Sequence, residues 1–372
     1  MDKLRALSGP ERLWRHAAAP GAPFALSVIL KGPLDTTGLE HALQQAARAN
    51  PGARAILHRG LFGPSWRVGP LPTLQALRAQ PLPGEVGPWL PEAPFQLSFG
   101  PDTLVFSAHH ALMDGRGLWH LVQETFRAWR GEPLLGGDDS IDDRRLLGPG
   151  LPLPPEAEFV AATGHHNGDL TPVWDHRRIE GRWSQLLSRV ALSITRTARK
   201  RAPAAAVRLD IPVDLRQGLL STANLTGIAS ITPPLEVDLD TITSQVTQVL
   251  QEDQALSWLK VSQRLRALPG PLLPPLIRHK TQQCLRRQRF GNTAVISNLG
   301  RVSLTELQGP GFACSRAFWL PPCGPTTTAF LGLLGTPEAL ELSCVMPRGL
   351  ADQGRLASLL DGIVTDLRAP PP

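Results

Sequence analysis

The 372-residue chain contains no tyrosine, only three methionines and only four cysteines, and aromatic residues make up 5% of it. Proline (37) and glycine (34) are abundant by contrast, a skew that reads as coding bias and carries no function. Cys284, Cys314, Cys323 and Cys344 form neither a CxxC pair nor a Cys/His metal spacing, which removes zinc-ribbon and dithiol readings and leaves no metal expected. A chain of this length does not need disulfide staples, so reduced thiols in a cytoplasmic protein are the expectation. No apolar run approaches the roughly 18 residues of a membrane span. The N-terminal MDKLRALSGPERLWRHAAAP is charged where a signal peptide is apolar. A GxSxG elbow, the strand-to-helix turn of a serine hydrolase, occurs nowhere.

What is present is globular: 42% hydrophobic and 19% charged residues, in a chain longer than single cores usually grow, so two lobes are expected. The net charge of +6 suits an anionic partner. The basic runs RTARKR (196–201) and RHKTQQCLRRQR (278–289) lack interleaved aromatics for base stacking, so they read as solvated helix faces and no nucleic acid is expected.

Along the chain, PFALSVILKG (23–32) alternates like a strand. It precedes a helix with Leu39, Ala42, Leu43, Ala46 and Ala47 on one face, capped by Thr36 or Thr37. Short strands follow at ARAILHRG, SWRVG and TLVFSA (103–108), then the loop HHALMDG and an amphipathic helix ending near Gly131. A turn-rich stretch from 131 to about 175 marks the connection between lobes, placing a boundary near 170: residues 1–170 and 171–372. The second half alternates helices with the strands AVRLDIPVDLR, IASITPPLEVD, NTAVISNLG, TTTAFLGLLG and ALELSCVMP, and ends in the helix RLASLLDGIVTDLR. Both halves are therefore α/β.

HHALMDG (109–115) places two adjacent histidines at a strand end and an Asp-Gly three residues on. A histidine held beside a cavity can take a proton from a hydroxyl or amine near neutral pH. Several readings compete. The residues can be ordinary loop polar groups with Asp114 capping the next helix. A metal site needs further ligands, and a hydrolase needs a nucleophile. General base catalysis needs nothing more. A second pair, His165 and His166 in ATGHHNGDL, has its Asp one residue closer and a turn-forming Asn-Gly, and reads as an exposed loop.

HHxxxDG resembles the signature of the coenzyme-A-dependent acyltransferase superfamily, which includes chloramphenicol acetyltransferase, condensation domains, and polyketide-associated and alcohol acyltransferases. His109, His110, Asp114 and Gly115 match every fixed position. LSGPERLW, LKGPLDTTGLEHALQQAARANPGAR, PVDLR with NLTG (212–227) and VISNLGRV (295–302) are similar, in order and spacing, to segments of the condensation and polyketide-associated branches.

The resemblance implies an α/β fold of two chloramphenicol-acetyltransferase-like lobes in a V-shaped pseudo-dimer, with a tunnel between them. It makes His110 the general base, with His109 packing the loop. Asp114 becomes a structural residue paired with an arginine, Arg216 in PVDLR, and Gly115 lets the chain turn into the helix. Ser297 and Asn298 in ISNLG are candidates for oxyanion or tunnel contacts, or else turn residues ending a strand. The implied reaction moves an acyl group from acyl-CoA or an acyl or peptidyl carrier protein to an alcohol or amine acceptor, as in secondary metabolism. No bound cofactor is implied. The chain is short for a condensation domain, and SNLG stands where other branches carry DFGWG. A non-catalytic module that recruits a carrier protein is the main rival; epimerisation and thioester hydrolysis are others within the fold.

Overall fold

The computed structural model describes residues 2–19, 24–60, 63–85, 93–141, 158–251, 255–256 and 268–369. The first half holds β1 (Lys3–Ala6), α1 (Gly9–Trp14), β2 (Ala25–Lys31), α2 (Leu39–Ala49), β3 (Ala55–Gly60), β4 (Gly63–Val68), β5 (Leu74–Ala76), β6 (Phe95–Phe99), β7 (Thr103–His109) and α3 (Gly115–Trp129). The second half holds β8 (Pro172–Glu180), α4 (Leu186–Arg201), β9 (Leu209–Asp214), β10 (Thr226–Ile231), α5 (Leu239–Gln251), α6 (Leu273–Arg287) and β11 (Ala294–Arg301). It continues with β12 (Arg316–Leu320), β13 (Phe330–Gly335), β14 (Ala339–Pro347), α7 (Arg348–Ala351) and α8 (Arg355–Arg368).

Period-two alternation sorts the side chains of each large sheet between two environments. In β2 and β7, Leu26, Val28, Leu30, Leu104, Phe106 and Ala108 join the apolar faces of α2 and α3 in one core. In β14, Leu340, Leu342, Cys344 and Met346 join α4, α5 and α8 in a second. The opposite faces of both sheets meet in a third cluster: Ile29 and Val105 from one, Trp174 and Val345 from the other, with Phe318, Leu320 and Cys323. The halves therefore pack sheet face to sheet face.

The sheet orders are β12-β2-β7-β6-β5 and β10-β9-β11-β13-β14-β8, with β1-β4-β3 as a small separate sheet. Strand β12 lies far beyond residue 170 yet pairs antiparallel with β2, setting Phe318 opposite Ile29 and Leu320 opposite Ser27. It closes the edge of the first-half sheet and carries Trp319 into the first core. RAFWL is a short continuous apolar run, as suits a strand buried on both faces, but nothing local to it specifies a partner about 290 residues away.

Several sequence expectations need correction. Helix α2 is capped by neither Thr36 nor Thr37: its N-cap is Gly38 at φ +77° with no side-chain bond, and the Thr37 hydroxyl donates instead to Asp35 Oδ1 (2.8 Å). The HHNG segment is a loop with His165, Asn167 and Gly168 exposed, but His166 within it is buried, and its Nδ1 accepts from the Gly168 N–H (2.8 Å). Strand β11 runs on through Ser297 and Asn298 rather than ending there. Parts of the inter-lobe connection (142–157) and of the helical stretch before 289 (252–254 and 257–267) lie outside the described residues. Among the described residues no helix is long and apolar enough to cross a membrane.

His166 Nε2 and both ring nitrogens of His176 are buried without a hydrogen-bond partner among the described residues. Burial first, and then Arg355 beside His166 and Arg316 beside His176, pull each from 6.5 to about 4. Between those values the unfolded chain binds protons that the native one does not, so stability falls as pH drops from 6.5 toward 4. Urea midpoints should decline across that window, and His176→Phe, stacked as His176 is on Phe318 (4.4 Å between centroids), should flatten the decline. A flat midpoint for the native sequence would refute this.

Candidate active site

The site is a turn between β7 and α3 held from the other half of the chain. His109 ends β7. Its Nδ1 accepts from the Ala111 N–H (3.0 Å), so a neutral His109 carries its proton on Nε2. Burial, the adjoining His110 and Arg15 lower its pKa to about 4. It is a neutral turn-bracing group at pH 7.

His110 takes the opposite tautomer. Its Nδ1 lies 3.1 Å from the Met113 carbonyl oxygen, which can only accept, and 3.4 Å from Asn224 Nδ2; the shorter carbonyl contact assigns the proton to Nδ1 and leaves the Nε2 lone pair free. The ring stacks on Trp14 (4.6 Å between centroids, 21° between planes) and lies tilted against Phe24 (5.3 Å). Backbone bonds fix its position: the His110 N–H donates to the Phe24 carbonyl (2.8 Å), and Asn224 Nδ2 donates to the His110 carbonyl. The residue packs against Trp14 and Phe24 and still keeps part of its surface open. Burial is the main cause lowering its pKa; the Met113 bond and Asp114 oppose that.

Asp114 faces the structural frame. It is 2% exposed and caps α3 by accepting from the Gly117 N–H (2.8 Å). Oδ1 also accepts from Arg216 Nη2 (2.7 Å), while Oδ2 accepts from the Leu225 N–H and Thr226 Oγ1 (both 2.8 Å). Burial pushes this carboxyl up, but Arg216 and the other donors outweigh it, so it is held below the usual carboxylate range. Arg216 is itself satisfied by Asp214 and by the Ser221 and Ala223 carbonyls. The glycines of DGRG allow this approach. A Cβ on Gly117 would overlap the Thr222 carbonyl oxygen, and one on Gly115 would sit 3.0 Å from Leu299 Cδ2.

A second clasp holds the same loop. Asp139 accepts from Ser221 Oγ (2.8 Å), the Thr222 N–H (2.6 Å) and the Gly52 N–H (2.6 Å). Arg5 donates to the Asp139 and Leu112 carbonyls (2.8 and 3.1 Å). Trp14, Asn224, Asp139 and Arg5 escape motif reasoning because each acts across a long sequence separation. For Asn224 and Trp14 the available signal was their place in NLTG and LSGPERLW.

Ser297 and Asn298 are not brought into hydrogen-bond contact with the histidines. On β11, Ile296 faces the second core and Leu299 the first. Ser297 therefore shares the Leu299 face, whereas Asn298 is exposed and accepts from the Gly300 N–H (2.8 Å). All four cysteines are buried, and burial pushes Cys314 and Cys323 up to about 12, which leaves neither a ready nucleophile.

No family model matches the chain. An uncharacterized protein of Mycobacterium tuberculosis, Rv2305, is 26% identical over 308 residues, covering 69% of this chain and 71% of that one. Among solved structures, a variant of the starter condensation domain of rhizomide synthetase RzmA in complex with C8-CoA superposes with a TM-score of 0.65 at 16% identity, covering 98% of this chain and 96% of the other. The chain has the condensation-domain fold. Polyketide synthase associated protein 5 of Mycobacterium tuberculosis shares it (TM-score 0.63, 15% identity, 99% of both chains). So does a structure describing condensation domain-mediated chain release from the enacyloxin polyketide synthase (0.60, 15%, 100% of this chain and 84% of that one). The paired α/β lobes of that fold are the sheet-to-sheet halves described above.

Asp114→Ala would strand a buried guanidinium, and denaturant titration should find about 3–5 kcal/mol of lost stability. The Arg216→Ala, Asp114→Ala pair should cost less than the sum of its parts. Gly117→Ala should cost about 1–3 kcal/mol by overpacking against Thr222. A fully stable Asp114→Ala protein would show that the pair does not brace the loop.

Proposed function

We propose that the protein is an acyltransferase in which His110 is the general base. The acyl group moves from a thioester, acyl-CoA or an acyl or peptidyl carrier protein, to the hydroxyl or amine of a small acceptor, forming an ester or amide. The observation that carries the reading is the tautomer of His110. With Nδ1–H committed to the Met113 carbonyl, Nε2 is an unshared lone pair on a partly open ring, kept neutral by burial.

In the step itself, Nε2 accepts the acceptor's proton as its oxygen or nitrogen attacks the thioester carbonyl carbon. The tetrahedral oxyanion then collapses, the carbon–sulfur bond breaks, and the imidazolium returns its proton to the departing thiolate. General base catalysis of this kind contributes roughly a hundred- to ten-thousandfold. Rigid placement of the base contributes as well, because small displacements cost rate steeply. Ser297, by its face on β11, is the better placed of the two oxyanion candidates. The solved neighbours support the reading by what their names print: an acyl-CoA complex in one and chain release from a polyketide synthase in another. A tailoring or off-loading step in natural-product assembly suits such a reaction.

Free-thiol release from acyl-CoA and acyl-carrier donors, with pools of alcohols and amines, tests the proposal. His110→Ala should lose about a hundredfold or more in kcat/KM while remaining folded; transfer at the native rate would refute the base assignment. Because burial lowers the His110 pKa, the base stays unprotonated to lower pH. The acid limb of kcat/KM should therefore fall below the ordinary histidine value of 6.5. An inflection above that value would contradict the assigned environment.

A further inference from the structure

Close to His110, α1 and the β3–β4 hairpin bring cations together, and the carboxylate of α1, Glu11, is buried and taken up by Arg5, the Ser8 N–H and Trp66. Arg12 lies in the last turn of α1, Arg15 is its C-cap and His16 follows, around Trp14, the residue that stacks on the His110 ring. Arg59 comes from the end of β3, opposite Pro64 of β4. The Pro64 carbonyl accepts from the Leu7 N–H (3.3 Å), which docks that end of the hairpin at the start of α1. Arg12 reaches the second half, donating to the Leu268 carbonyl (2.6 Å). Among the described residues neither Arg15 nor Arg59 makes an ion pair or a hydrogen bond through its guanidinium.

A helix C-terminus accommodates one cation. It does not account for guanidinium groups converging from two separate elements. Arg15 is half-buried, and burial together with Arg59 and Arg12 pulls its pKa down; burial and the same three arginines lower His16. Like charges gathered in a partly desolvated place are unfavourable unless an anion completes them. The Arg15 charge is also felt at His109, so the cluster borders the reacting centre rather than a remote surface.

We propose that Arg15 and Arg59, flanked by Arg12 and His16, form an anion-binding mouth to the His110 cleft that holds a phosphate of a pantetheine-bearing donor. The inference rests on the acyltransferase reading and narrows it. The donor is recognised through charge at this mouth, with guanidinium forks matched to phosphate oxygens. Coenzyme A and a phosphopantetheinyl group share the pantetheine phosphate, and coenzyme A adds the phosphates of its nucleotide.

Calorimetric titration of the full chain with coenzyme A, phosphopantetheine and pantetheine separates these sources. The native protein should bind the first two at least about tenfold more tightly than pantetheine, and Arg15→Gln and Arg59→Gln should each remove about tenfold of that preference, the range of a charge-assisted hydrogen bond. Pantetheine binding should be unchanged. Equal affinity for phosphopantetheine and pantetheine would overturn the proposal, as would an equal loss for all three ligands, which would mark the arginines as structural. A preference for coenzyme A over phosphopantetheine that the substitutions abolish would assign the mouth to the nucleotide phosphates and overturn the pantetheine-phosphate assignment. Charge-dependent binding without acyl transfer would count against the acyltransferase reading alone. Transfer with charge-independent binding would count against the mouth alone.

Discussion

The buried pair between Asp114 and Arg216 is the constraint from which the geometry of the site follows. Taken as an isolated ion pair it would add little, since two desolvated charges roughly cancel their own attraction. Here the carboxylate accepts four hydrogen bonds and the guanidinium spends its donors on Asp114, Asp214 and two carbonyls. Four of the five guanidinium protons and both carboxylate oxygens are engaged, close to the full satisfaction under which a buried polar network specifies one arrangement. The network joins the first turn of α3 to the chain on either side of residue 220. From the same stretch Asn224 reaches back to the His110 carbonyl. His110 is therefore positioned by both halves of the chain at once.

Two adjacent histidines on one turn do different work because their Nδ1 atoms meet different backbone groups. His109 meets an N–H and must accept; His110 meets a carbonyl and must donate. Their tautomers are thereby opposite, and only His110 is left with an open lone pair beside the cleft. Burial disfavours the charged form of both, which favours a neutral brace in the first and a neutral imidazole with an open Nε2 in the second. The turn itself, with Leu112 and Met113 N–H groups donating to the His109 carbonyl, makes the division possible.

Much of this was legible in the sequence, and the boundary of legibility has a physical cause. The α2 face, the α3 face and the last helix follow from local periodicity, and Asp114 as a helix cap follows from its side chain and position. The link to Arg216 came only with the resemblance, because no local rule pairs residues about a hundred positions apart. Strand β12 is the clearest miss: its short apolar run fits a strand buried on both faces, but its partner is β2, and nothing within RAFWL specifies that choice. Thr37 failed as a cap because Asp35 Oδ1 takes both its backbone N–H and its hydroxyl, and the helix starts after Gly38. His166 looked exposed because its neighbours are turn formers, yet it packs near Gly349, where a Cβ would come within 2.6 Å of the ring.

The short helix α1 shows how recognition and catalysis share a mounting. Six residues cannot sustain a helix alone, but Ser8 and Glu11 close a capping box. Glu11 Oε1 in turn accepts from Arg5 and from Trp66 Nε1. Arg5 also holds the Leu112 carbonyl inside the motif turn. A single buried carboxylate thus fixes α1 to the small sheet and, through Arg5, to the loop that carries His110. Trp14 rests on the imidazole while Arg12, Arg15 and His16 stand on the same end of the helix. Changing those cations alters the charge met by an incoming substrate without loosening the bonds that aim Nε2. Side chains at this helix end can therefore vary while His110 stays in place, a separation that the fold provides by anchoring α1 through Glu11 and Arg5 rather than through Arg12, Arg15 and His16.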